Sequence, residues 1–120
     1  MSFDRYNPTV MDHFLNPRNT GELKDATRVV TVENPACGDM VRLSLRIERG
    51  AIAAVRAKTF GCAAAIASAS ALTEMLEGRT LEEAARIRNA DVVARLGGLP
   101  EDKINCSVVA EQAVQAALQS

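Results

Sequence analysis

Tryptophan is absent from this 120-residue chain, and its only aromatic side chains are one tyrosine and three phenylalanines. Yet 48% of the residues are hydrophobic, so the core has to be assembled from Ala, Val, Leu and Ile. Neither charge is in surplus: 14 Lys and Arg stand against 15 Asp and Glu, which leaves no electrostatic footprint for a nucleic-acid partner. No apolar run approaches the roughly 20 residues that cross a bilayer. The first ten residues, MSFDRYNPTV, lack the apolar core of a signal peptide. Composition therefore argues against nucleic-acid and membrane partners and places the chain in the cytoplasm. Low-complexity segments, internal repeats and linkers are also missing. Residues 1–120 are expected to form one domain, large enough for a real core, with residues 1–20 carrying a loosely held N-terminal helix.

Cysteine is scarce and odd in number: Cys37, Cys62 and Cys106. No two of them form a CxxC pair, and an odd count in a reducing compartment argues against a disulfide framework. Any joint role has to be assembled by the fold.

Periodicity gives the order of elements. The stretch 28–33 (RVVTVE) is rich in β-branched residues and is expected to be a strand. In 40–48 (MVRLSLRIE), Val41, Leu43, Leu45 and Ile47 alternate with Arg42, Ser44, Arg46 and Glu48, the pattern of a half-buried strand. Arg49-Gly50 is a tight turn, and 51–60 returns with Val55, Ala57 and Thr59 on one side and Arg56 and Lys58 on the other. The outer face of this hairpin is basic; an ordinary solvated face is the simpler account of it, partner docking the alternative. After Gly61-Cys62 the period becomes helical and ends at Gly78. Thr80 and Glu83 have the spacing of a capping box. Asp91 is placed to cap another short helix, closed by Gly97-Gly98, and the last helix starts near Asn105 or Cys106 with Val109, Ala113 and Ala117 as its apolar stripe. Strands first and helices after predict an α+β fold: a small antiparallel sheet of about three strands with helices packed on one face.

Each cysteine sits at an element boundary. Cys37 lies in the loop NPACGDM with Asp39 two residues on, Cys62 opens a helix after Gly61, and Cys106 opens the last helix. Any one cysteine can be simply a small core residue. Three at boundaries beside glycine or capping residues favour chemistry, and a helix start favours a thiolate over a thiol. If the three converge, they supply most of a zinc or iron–sulfur site, which usually wants four ligands. Asp39 is the leading candidate for the fourth because it shares a loop with Cys37. His13, the only histidine, is the rival, and as a lone histidine it is expected at the surface.

Four stretches in order, YNPTVMDHFLNPRNTGEL, NPACGDMVRLSLRI, KTFGCAAAIASASALTEMLEGRTLEEA and LPEDKINCSVVAEQAVQAAL, cover nearly the whole chain and resemble the IscU/NifU N-terminal family of iron–sulfur cluster assembly scaffolds. The resemblance implies a compact α+β domain with Cys37, Cys62 and Cys106 clustered at one tip as ligands and Asp39 contributing or tuning lability. It implies sulfur taken from a cysteine desulfurase, combined with iron into a 2Fe–2S or 4Fe–4S cluster, and handed to apo iron–sulfur proteins. Cys106 would be the sulfur acceptor, zinc could occupy the same site in the isolated protein, and the chain would be a carrier rather than an enzyme, either monomer or homo-oligomer. Two departures stand out. Asn105 replaces the histidine that precedes the third cysteine in many members; it is a good N-cap but only a neutral amide ligand. Glu101 and Asp102 replace residues of the LPPVK segment, which speaks against docking of an Hsp70-type chaperone. The alternative readings are a zinc-bound sulfur acceptor of the SufU type, which also lacks that histidine, and a plain structural-zinc module. A cysteine hydrolase lacks any supporting Cys-His signature.

Overall fold

The computed structural model describes residues 6–34 and 38–119, with the side chains of Asn105 and Gln119 excepted. Its elements run α1 (Pro8–Leu15), β1 (Arg28–Asn34), β2 (Asp39–Glu48), β3 (Ala51–Phe60), α2 (Ala63–Leu76), α3 (Leu81–Ala85), α4 (Asn89–Arg95), a 3-10 turn (Glu101–Lys103) and α5 (Ile104–Gln119). The three strands form one antiparallel sheet in the order β1-β2-β3. This is the α+β arrangement that the alternation in 40–60 predicts. Val41, Leu43, Leu45 and Val55 are fully buried under the helices. The hairpin turn needs two left-handed residues, and Arg49 (φ 54°) and Gly50 (φ 75°) supply them, which matches the twist of the flanking strands.

The basic outer face of the sheet is largely neutralised by its own chain. Arg42 Nη1 lies 3.1 Å from Glu22 Oε1, and Arg46 Nη1 lies 3.0 Å from Asp25 Oδ2. Exposed pairs of this kind add little stability, but they lay the 19–25 loop across the strands and leave few guanidinium groups free for a partner.

Helix α2 is the central element: eleven of its fourteen residues are buried, most of them Ala or Ser. Small side chains let several elements approach it closely at once, and α1, α5 and β3 all pack on it. The stripe Val109, Ala113 and Ala117 of α5 is fully buried as expected. The capping box at Thr80 and Glu83 forms in both directions. Asp91 is not an N-cap: Arg88 holds that position, and Asp91 sits three residues in, accepting the Arg88 N–H at 2.9 Å. The last helix also begins earlier than expected. The 3-10 turn runs straight into Ile104, so Asn105 and Cys106 occupy the first turn and neither is the cap residue.

At the other end of the core, Asn7 is the N-cap of α1. Its Oδ1 accepts the Val10 N–H at 2.9 Å while its amide donates to the carbonyls of Leu96 and Gly98. Tyr6 is buried. His13 is buried as well, not at the surface, because it shares a helix face with Val10 and that face lies on α2. Its Nδ1 is 2.7 Å from Ser70 Oγ, which also accepts the Arg18 N–H, and its Nε2 is 3.5 Å from Glu74.

Burial, and next the charge of Arg18, hold the His13 pKa below its ordinary value of 6.5; Glu74 and Asp12 oppose this, and Arg95 adds to it. The unfolded chain therefore binds this proton more readily than the folded one. Stability from neutral His13 is complete above about pH 6.5 and falls as the pH drops from there through the folded value. The melting temperature of the native chain should fall more steeply between pH 7.5 and 5.5 than that of His13→Gln. Parallel curves would show that the histidine carries no linked proton.

Candidate metal centre

The register of the hairpin begins the site. Met40 pairs with Phe60, which sets Asp39, the first residue of β2, across from Gly61 just beyond β3. The Asp39 side chain is 2% exposed and turns over this glycine. A Cβ on Gly61 would stand 2.9 Å from Asp39 Cγ and closer still to Oδ1, so only glycine leaves room for the carboxylate. Asp39 Oδ1 accepts the Cys62 N–H at 3.2 Å. That bond ties the start of β2 to the start of α2.

Cys62 is the N-cap residue of α2, but its side chain makes no capping bond. Its sulfur faces Cys106 instead, with 3.4 Å between the two Sγ atoms. That distance is far beyond the roughly 2.0 Å of a disulfide, so the two sulfurs are not bonded to each other. Cys106 arrives from the first turn of α5, which packs against α2. One oxygen of Asp39 and the two sulfurs lie within 4.8 Å of one another. A single soft or borderline cation can touch all three at ordinary bond lengths.

The second carboxylate oxygen argues for such an occupant. Asp39 Oδ2 is buried and has no hydrogen-bond partner among the described residues. A carboxylate oxygen left dry and unpaired is costly, and a bound cation is the group that would satisfy it. Nearby, Lys103 brings a positive charge. Its pKa is raised, first by the Tyr6 phenol and then by Cys62, with Cys106 and Asp102 contributing less.

Of the residues expected here, Asp39, Cys62 and Cys106 come together. Cys37 lies outside the described residues, as does the side chain of Asn105. His13 does not join the group; its two ring nitrogens face Ser70 and Glu74. Sequence reasoning missed two contributors. The signal for Gly61 was present as a glycine directly before a cysteine, but the carboxylate it makes room for is 22 positions away in the sequence. Lys103 precedes Cys106 by three residues and carried no pattern of its own.

Comparison with known proteins adds to this geometry. Residues 5–120 match the family model described as NifU-like N terminal domain. The iron-sulfur cluster assembly scaffold protein IscU 1 of Archaeoglobus fulgidus is 46% identical over 113 residues, covering 94% of this chain and 74% of that protein. The scaffold protein IscU of Azotobacter vinelandii is 47% identical over 118 residues, covering 95% and 91%. In structure, the chain resembles a SUF-system scaffold protein from Fervidobacterium islandicum AW-1 with a TM-score of 0.79 at 23% identity, covering 98% of this chain and 99% of that one. This last likeness concerns the fold alone.

Gly61→Ala tests the site without touching a ligand. In a zinc titration of the metal-free protein, this substitution should weaken binding by about tenfold or more, as changes behind a ligand do, with the circular dichroism of the fold retained. Affinity equal to that of the unsubstituted chain would take Asp39 out of the site.

Proposed function

Because the chain belongs to the NifU-like N-terminal domain family, we propose that it is a scaffold on which iron–sulfur clusters are assembled and from which they are passed on. The observation that carries this reading is the convergence of two cysteine sulfurs with a buried carboxylate whose second oxygen is unsatisfied. Cys62, Cys106 and Asp39 would hold the iron of the nascent cluster, with Cys37 as the further thiolate. The cluster, 2Fe–2S or 4Fe–4S, is cargo and not a resident group. Zinc suits the same donors when iron and sulfide are lacking.

The donor set explains why cargo could leave. Thiolates are soft ligands that favour iron–sulfur clusters, whereas a carboxylate is hard and exchanges more readily. Asp39 is therefore the weak point of the cage, while the bond from the Cys62 N–H to its Oδ1 keeps the carboxylate in place.

Sulfur delivery is assigned to a cysteine desulfurase and its acceptance to Cys106. The Cys106 thiolate attacks the outer sulfur of the donor's cysteine persulfide. A new S–S bond forms on Cys106, the donor's S–S bond breaks, and the donor cysteine leaves as a thiolate, with no net oxidation. The burial adds a constraint. Cys106 is 2% exposed while Cys62 is only half-buried, so of these two Cys62 is the more accessible. The chain acts as a carrier in this scheme, with apo iron–sulfur proteins as recipients and residues 1–120 working as one domain. No described helix is long and apolar enough to cross a membrane; the cytoplasm is the proposed compartment.

The test is anaerobic reconstitution with a cysteine desulfurase, cysteine and ferrous iron, followed in the visible spectrum. Charge-transfer bands should appear, and should be lost in Cys62→Ala and Cys106→Ala. A colourless protein holding zinc and a persulfide would instead make it a sulfur acceptor of the SufU type. With the cluster in place, Asp39→Ala should slow transfer to an apo-ferredoxin, because the readily exchanging ligand through which the cluster leaves is lost. Transfer at the unsubstituted rate would remove the release role of Asp39.

A further inference from the structure

Strand β3 is an edge strand, and an edge presents unpaired backbone groups to any extended chain that can reach them. This chain covers its own edge almost rung by rung. Ile52 donates its N–H to the Arg79 carbonyl at 2.8 Å and accepts the Gly78 N–H at 2.9 Å. The Val55 carbonyl accepts from Arg56 Nη1 at 2.7 Å. Ala57 donates to the Asn19 carbonyl and accepts the Gly21 N–H, a single rung of parallel pairing by residues 19–21. Since Ala57 turns its N–H and C=O away from β2, so does Thr59 two residues on. The covering segment leaves the edge at Gly21, whose φ of +104° turns the chain away. Among the described residues, nothing pairs with the outward backbone groups of Thr59.

The open rung borders a groove of about 350 Å³. Its walls are mainly apolar, with Phe14, Ile66, Ala69 and Phe60 among them. Two cations stand in it. Lys58 Nζ lies 5.7 Å from the centre of the Phe60 ring. Arg18 is paired with Asp12 through Nη2, but its Nη1 is buried and has no hydrogen-bond partner. Among the described residues, no acidic side chain lines the groove. An edge rung, an apolar wall, the Lys58 ammonium and the unpartnered Arg18 Nη1 together describe a receptor for an added strand.

We propose that the Thr59 rung and this groove receive an extended peptide segment of a partner protein, which adds one short strand and sets a carboxylate side chain against Lys58 and Arg18 and an apolar side chain against Phe14 and Ile66. Main-chain bonds to Thr59 would give affinity, and the alternating acidic and apolar side chains would give selectivity. Phe60 ends the strand and Gly61-Cys62 follow it, so a segment seated here delivers its protein to the edge of the cysteine site. The proposal stands without the scaffold reading, because binding is measured with no metal or sulfur present.

The experiment is an NMR titration of the metal-free chain with the blocked peptides acetyl-VEVEVE-amide and acetyl-VKVKVK-amide. The acidic peptide should bind saturably, moving the Thr59 amide signal most, and should bind more tightly than the basic one by about tenfold, the worth of one favourable charge contact. Lys58→Glu should reverse that preference. Thr59→Pro removes the N–H at a position where an edge strand tolerates proline and should weaken the acidic peptide by about tenfold. If Thr59→Pro fails to fold, Lys58→Glu alone decides. Shifts centred elsewhere, no saturation, or an unchanged preference in Lys58→Glu would overturn the proposal. A Thr59 signal that moves with protein concentration and no peptide would give the rung to a second copy of this chain.

Discussion

The Asp39 carboxylate is the joint on which the candidate site depends. It starts β2, fills the space that Gly61 leaves at the end of β3, and accepts the backbone N–H of Cys62 at the mouth of α2. Sheet and central helix are thereby fixed relative to each other at one point. Once that point is fixed, the Cys62 sulfur has no capping bond to make and faces α5, where Cys106 meets it. Local backbone geometry and ligand geometry are thus the same constraint. A carboxylate that served only to cap would need one oxygen. This one buries a second oxygen without a partner, a cost that a folded protein bears for a reason beyond folding.

Packing around α2 makes the rest of that arrangement rigid. An aromatic-poor chain cannot fill a core with a few large rings. It uses a helix of alanines and serines so that two other helices and a strand can all come close. Close approach lets a cysteine from α5 reach a cysteine at the start of α2 with no linker between the helices. The buried polar groups on α2 fall where they meet partners: Ser68 bonds back to the Ala64 carbonyl, and Ser70 joins His13 to the Arg18 backbone. His13 belongs to this structural network on the α1 side of the helix, which is why the only histidine is not a ligand of the described group.

Much of this was legible in the amino-acid sequence where the signal is local. The alternation of Val41, Leu43 and Leu45, the Arg49-Gly50 turn and the Thr80–Glu83 box each depend on residues a few positions apart, and each is found in place. The grouping of Asp39, Cys62 and Cys106 needed more. Residue type and boundary position suggested it, and resemblance to a family placed it, but the contact joins three separate elements. Errors came where tertiary packing outweighs a local preference. Asn105 is a good cap in isolation, yet the 3-10 turn at Glu101–Lys103 extends the helix upstream of it. His13 reads as a polar residue on a short helix, and burial against Ser70 was invisible without knowing which helix lay opposite.

The edge of β3 shows the same economy as the site. A long exposed edge invites unwanted pairing, and proteins usually cover or charge it throughout. Here the chain uses Gly78-Arg79, the Arg56 guanidinium and the Asn19–Gly21 segment on successive rungs, then stops short of Thr59. Covering the last rung would need only two more extended residues after Gly21, yet the chain turns away. The gap adjoins the strand end that leads directly into Gly61 and Cys62. A protein that must exchange material through a half-buried sulfur needs some surface on which a donor or recipient can rest while the transfer occurs. With the outer sheet face neutralised by Glu22 and Asp25, that open rung and its cationic groove are the described surface beside the site best suited to recognise one.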